Sequence, residues 1–225
     1  MRLRLPEEHP TEPPTGYKIA YPVLSQNGRR AGFTGVSLGG ALPYGVLDDA
    51  RCVYGRRHRC PSRRCDCGFH CLHSRDEALG LVCLTEHRRA VVLEITVLGS
   101  YIRYERGMRY ARQRVRAARV GPCSCGRTAD RFADAGWGRA GWRTVTGSCA
   151  GCAADRMSIS FPGFARLAGE RLAVSVAPGT AAGTLQVHAT SGGTVPELVA
   201  EAALLQARLD WFQSELAKVI GRDDP

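Results

Sequence analysis

The amino-acid sequence predicts an α+β fold with small antiparallel sheets, two cysteine-rich modules and a long C-terminal amphipathic helix. Three observations lead to this prediction. Short segments rich in β-branched residues are separated by turn signals over most of the chain. The ten cysteines fall into two clusters. The last segment repeats apolar residues at helical spacing.

The composition is that of a globular, positively charged chain. It has 225 residues, of which 44% are hydrophobic, enough to bury a core. The formal net charge is +10, and all but two of the basic residues, Lys18 and Lys218, are arginine. Positive charge favours acidic partners, nucleic acid among them. Because no apolar run is long enough to span a membrane and the start lacks a signal peptide, we expect a cytoplasmic protein without membrane association.

The first elements form a predicted β-hairpin. Tyr17–Leu24 and Phe33–Leu38 have the residue types of short strands. Between them lies Asn27-Gly28, a dipeptide typical of tight hairpin turns because both residues tolerate positive φ.

The middle of the chain predicts one short helix and a central strand. Ser74 and Glu77 have the spacing of a capping box, so a helix begins there, and we expect it to end near Glu86. β-branched residues dominate residues 90–98, which predicts a buried strand. Residues 108–120 carry arginines at a spacing that fits both a strand and a helix, and we favour the strand.

The C-terminal part predicts short strands followed by a long helix. The strands are Met157–Phe161, Leu172–Ala177 and Leu185–Ala189. A second capping box at residues 194–197 begins the helix, and Gly221 lies where a cap glycine belongs. Its apolar residues follow a 4-3 spacing: Leu198, Ala202, Leu205, Leu209, Phe212, Leu216 and Val219. This heptad pattern allows packing on its own domain, self-association or binding of a partner protein.

The second cysteine cluster has the spacing of a metal site. Cys123 and Cys125 form one close pair, and Cys149 and Cys152 form the other. Two close pairs brought together by intervening structure are what one tetrahedral zinc ion requires, as in zinc ribbons. An iron–sulfur cluster or a redox dithiol is the alternative, but neither has the expected spacing here.

The first cluster holds more candidate ligands than one metal ion can use. We favour Cys52, His58, Cys65 and Cys67 as the ligands. Cys65 and Cys67 form a compact pair on a turn, and Cys52 and His58 are far enough apart to supply the other two ligands. Cys60 could replace His58. We expect Cys71 and Cys83 to be core thiols. A second metal bound by Cys60, Cys71 and either His70 or His73 is the alternative.

The first cluster is also part of a longer signature. It runs from Cys52 through His58-Arg-Cys-Pro61 and Cys65-Asp-Cys67-Gly68 to Glu105-Arg-Gly-Met-Arg109. This pattern resembles an uncharacterised family of actinobacterial proteins with a zinc-site signature Cys…His-x-x-Pro…Cys-x-Cys-Gly, over about residues 17–120. The resemblance favours His58 over Cys60 as ligand, because the residue before the proline is usually alanine in that family. It implies no activity.

These observations predict four segments. They are a flexible tail at 1–16, an α+β domain with the first zinc site at 17–120, a zinc-ribbon-like module at 121–190 and the C-terminal helix at 191–225. The break between the second and third segments is Gly121-Pro122, which interrupts the strand pattern.

The predicted function is a non-catalytic zinc-binding interaction or scaffold protein with two structural zinc ions. The sequence has no His-x-x-x-His pair with a glutamate, no nucleophile elbow and no phosphate-binding glycine loop. A regulatory zinc protein that binds nucleic acid is the alternative, and a metal- or thiol-dependent enzyme is the third. Possible nucleic-acid contacts are Arg103, Arg109, Arg112, Arg114 and Arg116.

Overall fold

The structure is a computed structural model that describes residues 12–36, 42–52, 54–83, 87–169 and 171–177. The strands in these ranges are β1 (Thr15–Ser25), β2 (Ala31–Gly35), β3 (Leu47–Asp49), β4 (Phe69–Leu72), β5 (Val91–Arg103), β6 (Gly107–Val120), β7 (Arg131–Arg139), β8 (Trp142–Ser148), β9 (Ser158–Ser160) and β10 (Ala173–Val176). The helices are α1 (Arg75–Cys83) and α2 (Phe161–Ala168), and Gly151–Ala153 forms a single 3₁₀ turn.

The ten strands belong to one sheet whose pairings close a ring. β1 pairs with β5, β5 with β6, β6 with β4, and β4 with β1, all antiparallel. β2 and β8 also pair with the C-terminal half of β1, and β7 pairs with both β8 and β9. β10 joins β6 in parallel, and β3 joins it antiparallel. Because β1 and β6 each pair with several partners, they tie the sheet together.

The main core lies inside this ring and continues under α2. β5 reads Val-Val-Leu-Glu-Ile-Thr-Val at its start, and its Leu93 and Ile95 are fully buried. Phe164 of α2 packs on Phe132, with ring centroids 4.6 Å apart, and on Phe33, at 5.8 Å. Each such side chain stabilises the fold by about 1.5–3 kcal/mol through burial.

A smaller core lies on the other face of the sheet, under α1. Ala78 of this helix is fully buried against Ile19 and Val92. The Ser74 hydroxyl accepts a hydrogen bond from the Glu77 amide at 3.3 Å, which is the N-cap half of a capping box, whereas the Glu77 carboxylate pairs with Arg106 at 3.0 Å. The helix therefore begins where the sequence predicts, and it packs on β1 and β5.

The prediction of an α+β fold is wrong. The described residues form a mostly antiparallel ten-stranded sheet with two short helices. Local periodicity identified several of the strands, but it carries no information on pairing between strands far apart in the chain. The predicted strand at 185–189 and the C-terminal helix at 191–225 lie outside the described residues.

The sheet also runs across the boundary predicted at residue 121. β8 pairs with β1 through Val23 and Thr144, so residues on both sides of the boundary share one sheet. The division into four segments itself stays a prediction. Neither helix in the described ranges combines the length and apolar character needed to cross a membrane.

Candidate metal centres

The loop between β3 and β4 brings four potential ligands together. The ligand atoms of Cys52, His58, Cys65 and Cys67 all lie within 4.8 Å of one another, and we call this group the first centre. The Cys52 and Cys65 sulfur atoms are 3.8 Å apart, and the Cys67 sulfur lies 3.8 Å from the imidazole nitrogens of His58. These are the four residues that the sequence favours.

The local backbone explains why this loop can gather its ligands. Gly68 follows Cys67 with φ of 128°, a conformation that other residues rarely adopt. A Cβ at that position would also lie 2.9 Å from the Arg109 side chain. The Nδ1 atom of His58 lies 3.0 Å from the Arg59 carbonyl oxygen. Because a carbonyl only accepts, Nδ1 carries the proton and Nε2 keeps a lone pair for a metal.

Arg109, on β6, anchors the loop that carries the ligands of the first centre. Its guanidinium donates hydrogen bonds to the carbonyl oxygens of Cys65 and Ser62, the latter at 3.1 Å. The side chain is only 6% exposed, whereas Asp66, at 3.7 Å, is almost fully exposed and adds little. Arg109 is therefore a buried anchor of the ligand loop, and its expected role as a nucleic-acid contact finds no support in this geometry.

The ends of the β7–β8 hairpin form the second centre. The sulfur atoms of Cys123, Cys125, Cys149 and Cys152 lie within 4.8 Å of one another. The first pair precedes β7 and the second follows β8, so antiparallel pairing of the two strands places the pairs side by side. The Cys125 and Cys149 sulfur atoms are 3.6 Å apart.

Each pair in the second centre lies on a tight turn. The Gly126 amide donates to the Cys123 carbonyl at 2.8 Å, with Gly126 at φ of 84°. Burial raises the pKa of Cys123, but hydrogen bonds from the backbone amides of Cys125 and Cys149 outweigh it and lower the pKa to about 5. Such a thiol is readily available as the thiolate that a metal ion binds.

Arg156 anchors the second centre much as Arg109 anchors the first. It donates to the Cys152 carbonyl at 2.7 Å and to the Asp134 carbonyl at 3.1 Å. It also donates to the Ser148 hydroxyl at 2.9 Å, and that hydroxyl lies 3.8 Å from the Cys123 sulfur. A single guanidinium thus connects one ligand pair with the surroundings of the other.

The acidity of the thiols varies within each centre. In the second centre, side-chain hydrogen bonds with Cys125, Cys149 and Cys123 raise the pKa of Cys152 to about 12, whereas a hydrogen bond from the Cys152 amide lowers the pKa of Cys149. In the first centre, Cys52 is the thiol with the lowered pKa. Burial raises the pKa of Cys52, but hydrogen bonds from the backbone amides of Arg56 and Tyr54 bring the pKa down to about 7. Burial and a contact with Cys60 raise the pKa of Cys67.

Three cysteines are not among the ligands of either centre. Cys60 is buried in the ligand loop, in contact with Cys67. The other two lie outside both centres. Cys71 is buried in the main core, as expected, and burial raises its thiol pKa to about 11. Cys83 is exposed at the end of α1, so the expectation of a core thiol is wrong there. Among the residues the structure describes, only the two centres gather such ligands, and the alternative set with Cys71 and His70 or His73 is not among them.

The arginines proposed as nucleic-acid contacts do not form a free stripe. Arg112 pairs with Asp49 at 3.1 Å, and the Arg116 guanidinium donates to the Thr96 hydroxyl at 2.8 Å. Arg114 is half-buried on β6, and Arg103 is exposed on β5.

Sequence reasoning missed a concave surface at the tip of the β7–β8 hairpin, which we call the hairpin tip. It is a shallow, open depression of about 460 Å³, lined by Gln26, Asp134, Gly136, Trp137, Gly138, Arg139, Ala140, Trp142 and Arg143. Trp137 packs edge-on against Tyr21 but remains 43% exposed. The Arg30 guanidinium lies 5.4 Å from the Trp142 ring centroid. The signal available in the sequence was a pair of tryptophans around a glycine-rich turn.

A scan against protein-family models and searches of curated proteins and of solved structures each found no match to this chain. The two clusters of cysteine and histidine could hold metal ions on their geometry alone.

Proposed function

We propose that this is a non-catalytic binding protein whose fold is stabilised by two structural zinc ions, one in each centre. The observation that carries the proposal is the approach of four ligand atoms to within 4.8 Å of one another in both places. The donor sets are three thiols with one imidazole, and four thiols, which are the sets that structural zinc sites use. Oxygen-seeking ions such as magnesium and calcium do not fit such donors.

The donor count supports a structural role. Four protein ligands complete a tetrahedron, whereas a catalytic zinc ion keeps a position open for water or substrate. The centres also lie where the chain needs support. The first is in a loop with few regular elements, and the second joins both ends of a hairpin. Structural zinc supplies about 10–16 kcal/mol of binding free energy to such segments.

Metal analysis of the purified chain tests this proposal. We expect two zinc ions per chain, one zinc ion in Cys65→Ser and one in Cys149→Ser. Cobalt substitution of each variant should give the intense d–d bands of tetrahedral thiolate coordination. A wild-type chain that folds without metal, or that carries an iron–sulfur chromophore, would contradict the proposal.

A second candidate function is binding of single-stranded nucleic acid at the hairpin tip. Trp137 offers an exposed aromatic ring on which a base can stack, and Arg139 supplies positive charge beside it. Arg30 lies over the Trp142 ring, and Arg143 pairs with Asp134 at 3.5 Å. The net charge of +10 would favour the encounter. This arrangement supports the nucleic-acid hypothesis better than the arginines of β6 do.

Fluorescence anisotropy with a labelled single-stranded oligonucleotide tests the second candidate. We expect an affinity that falls steeply with salt and that Trp137→Ala weakens about tenfold, in line with the loss of one stacking partner. Tyr104→Ala removes an exposed aromatic ring elsewhere and is the matched control. Equal binding by wild type and Trp137→Ala would exclude the hairpin tip as the site.

A further inference from the structure

A polar cluster lies inside the ring formed by β1, β4, β5 and β6. Lys18 of β1 lies on the same side of the strand as Ala20 and Leu24, which are buried in the main core. Its ammonium group is 4.7 Å from the Tyr44 ring centroid and 4.9 Å from that of Phe69. A lysine in such surroundings requires an explanation, because burying a charged group is costly.

The ammonium group faces one side-chain amide. Lys18 Nζ lies 3.5 Å from Oε1 of Gln113, a β6 residue that is fully buried. The same oxygen accepts a hydrogen bond from the Tyr110 hydroxyl at 2.8 Å. Both neighbours donate to it, so the amide orientation is fixed with oxygen towards them.

The other end of this amide is poorly satisfied. Gln113 Nε2 is buried, and the candidate acceptor is the Tyr44 hydroxyl, but neither group makes a hydrogen bond of ordinary geometry among the described residues. A buried NH₂ group without a well-formed hydrogen bond is unfavourable. The cluster therefore contains an amine, a polarised carbonyl and a weakly held amide nitrogen.

The environment increases the fraction of neutral amine, although the ammonium form still predominates at pH 7. Burial lowers the pKa of Lys18 to about 8, although Cys71 nearby acts in the opposite direction. A neutral amine is a nucleophile, whereas an ammonium ion is not.

We propose that Lys18 and Gln113 become joined by an intramolecular isopeptide bond. Nζ of the neutral amine attacks Cδ of Gln113, and the Cδ–Nε2 bond breaks. One Nζ proton passes to Nε2, which leaves as ammonia, so no oxidant or cofactor takes part. The Tyr110 hydroxyl donates to the oxygen on which negative charge develops, the role of an oxyanion-hole donor.

The isopeptide bond would remove both unfavourable features of the cluster, the desolvated amine and the weakly held amide nitrogen. One secondary amide replaces a half-buried ammonium group and a buried NH₂ group that lacks a well-formed hydrogen bond. The bond also links β1 to β6 across the ring, between residues 95 positions apart. A cross-link that closes so long a loop restricts the unfolded chain.

Intact mass under denaturing, reducing and metal-free conditions tests the proposal on the full chain. We expect a mass lower than that of the sequence by one ammonia, about 17 Da. Lys18→Met and Gln113→Met should each have the full mass of their own sequence. A wild-type chain of full sequence mass would overturn the proposal, and so would a deficit that persists in both variants.

Peptide mapping locates the bond. Trypsin should fail to cleave after Lys18, and Leu5–Arg29 should be recovered joined to Gln113–Arg114. Recovery of both peptides unlinked would overturn the proposal.

Tyr110→Phe keeps the aromatic ring but loses the hydroxyl donor, so the linked fraction of freshly purified protein should fall. Complete linkage in that variant would exclude the role given to Tyr110.

Discussion

The two metal centres differ in what holds their ligands together. In the second centre the ligand pairs are attached to β7 and β8, and antiparallel pairing places them side by side. In the first centre all four residues lie in one loop, and the buried guanidinium of Arg109 is its link to the sheet. A sheet can therefore place metal ligands side by side before the metal binds, whereas a loop depends on the metal and on its anchors.

The largest expected effect is on stability, and it should differ between the centres. The second centre joins strands that carry Phe132 and Val145, both fully buried, so loss of its metal would reach the main core. We expect Cys149→Ser to lower the Tm by more than about 10 °C, since each kcal/mol corresponds to about 2–4 °C in a chain of this size.

The matched variant in the first centre is Cys65→Ser. Its loop carries no long strand, so we expect a smaller decrease in Tm and an intact sheet by circular dichroism. Thermal unfolding of the three proteins, each with its zinc content measured, makes the comparison. Equal decreases in Tm would show that the sheet does not distinguish the centres.

The next effect is on metal affinity, through the two arginine anchors. Residues that orient metal ligands typically contribute 10–100-fold to affinity. We expect Arg109→Met to weaken zinc binding at the first centre by about that factor. Arg156→Met should have a smaller effect at the second centre, because β7 and β8 also hold its ligands.

Competition with a chromophoric chelator measures both affinities. Arg112→Met is the control, since this arginine is on the same strand as Arg109 but is about half exposed and pairs with Asp49 on the surface. If Arg112→Met weakened the first centre as much as Arg109→Met, the anchoring role would be refuted.

The sequence predicts the local groupings well because they depend on short spacings. Cys65 and Cys67, like Cys149 and Cys152, are so close in the chain that a single turn brings their sulfur atoms together. Their assignment as metal ligands stays a prediction. The N-cap hydrogen bond of Ser74 is another local feature that the structure contains.

The sequence cannot predict features that depend on distant pairing. The ring closes only because β1 meets both β4 and β5. The spacing of apolar residues along the chain does not reveal that β1 pairs with both strands. The α+β prediction failed for this reason. Arg109 looked like one of several surface arginines, yet the ligand loop before β4 covers it. Lys18 is half-buried for the same non-local reason.

A further difference between the centres is their response to acid. Protons compete with metal for thiolates, so a thiol of lower pKa keeps its metal to lower pH. In the second centre the pKa of Cys123 is lowered to about 5 and that of Cys149 is lowered too, while that of Cys152 is raised. In the first centre the pKa of Cys52 is lowered to about 7, and those of Cys65 and Cys67 are raised. The second centre therefore has two acidic thiols and the first has one. We expect zinc to leave the first centre at a higher pH than the second.

A titration from pH 7.5 to pH 4 with continuous measurement of released zinc should therefore show two steps. The Cys65→Ser variant should lack the step at higher pH, and Cys149→Ser the step at lower pH. Release in the reverse order would show that the hydrogen bonds to the Cys123 sulfur do not control acid stability.

The smallest expected effect is on Cys71 and Cys83, the two cysteines outside both metal centres. It tests whether burial alone protects a thiol from alkylation. Cys71 is 6% exposed with a pKa of about 11, so at pH 8 nearly all of it is the unreactive thiol behind a packed core. Cys83 is exposed on α1. Iodoacetamide treatment of the zinc-loaded protein should modify Cys83 within minutes and leave Cys71 unmodified until the protein unfolds. Peptide mass spectrometry measures both rates, and modification of Cys71 as fast as Cys83 would mean that the ring opens readily in the folded protein.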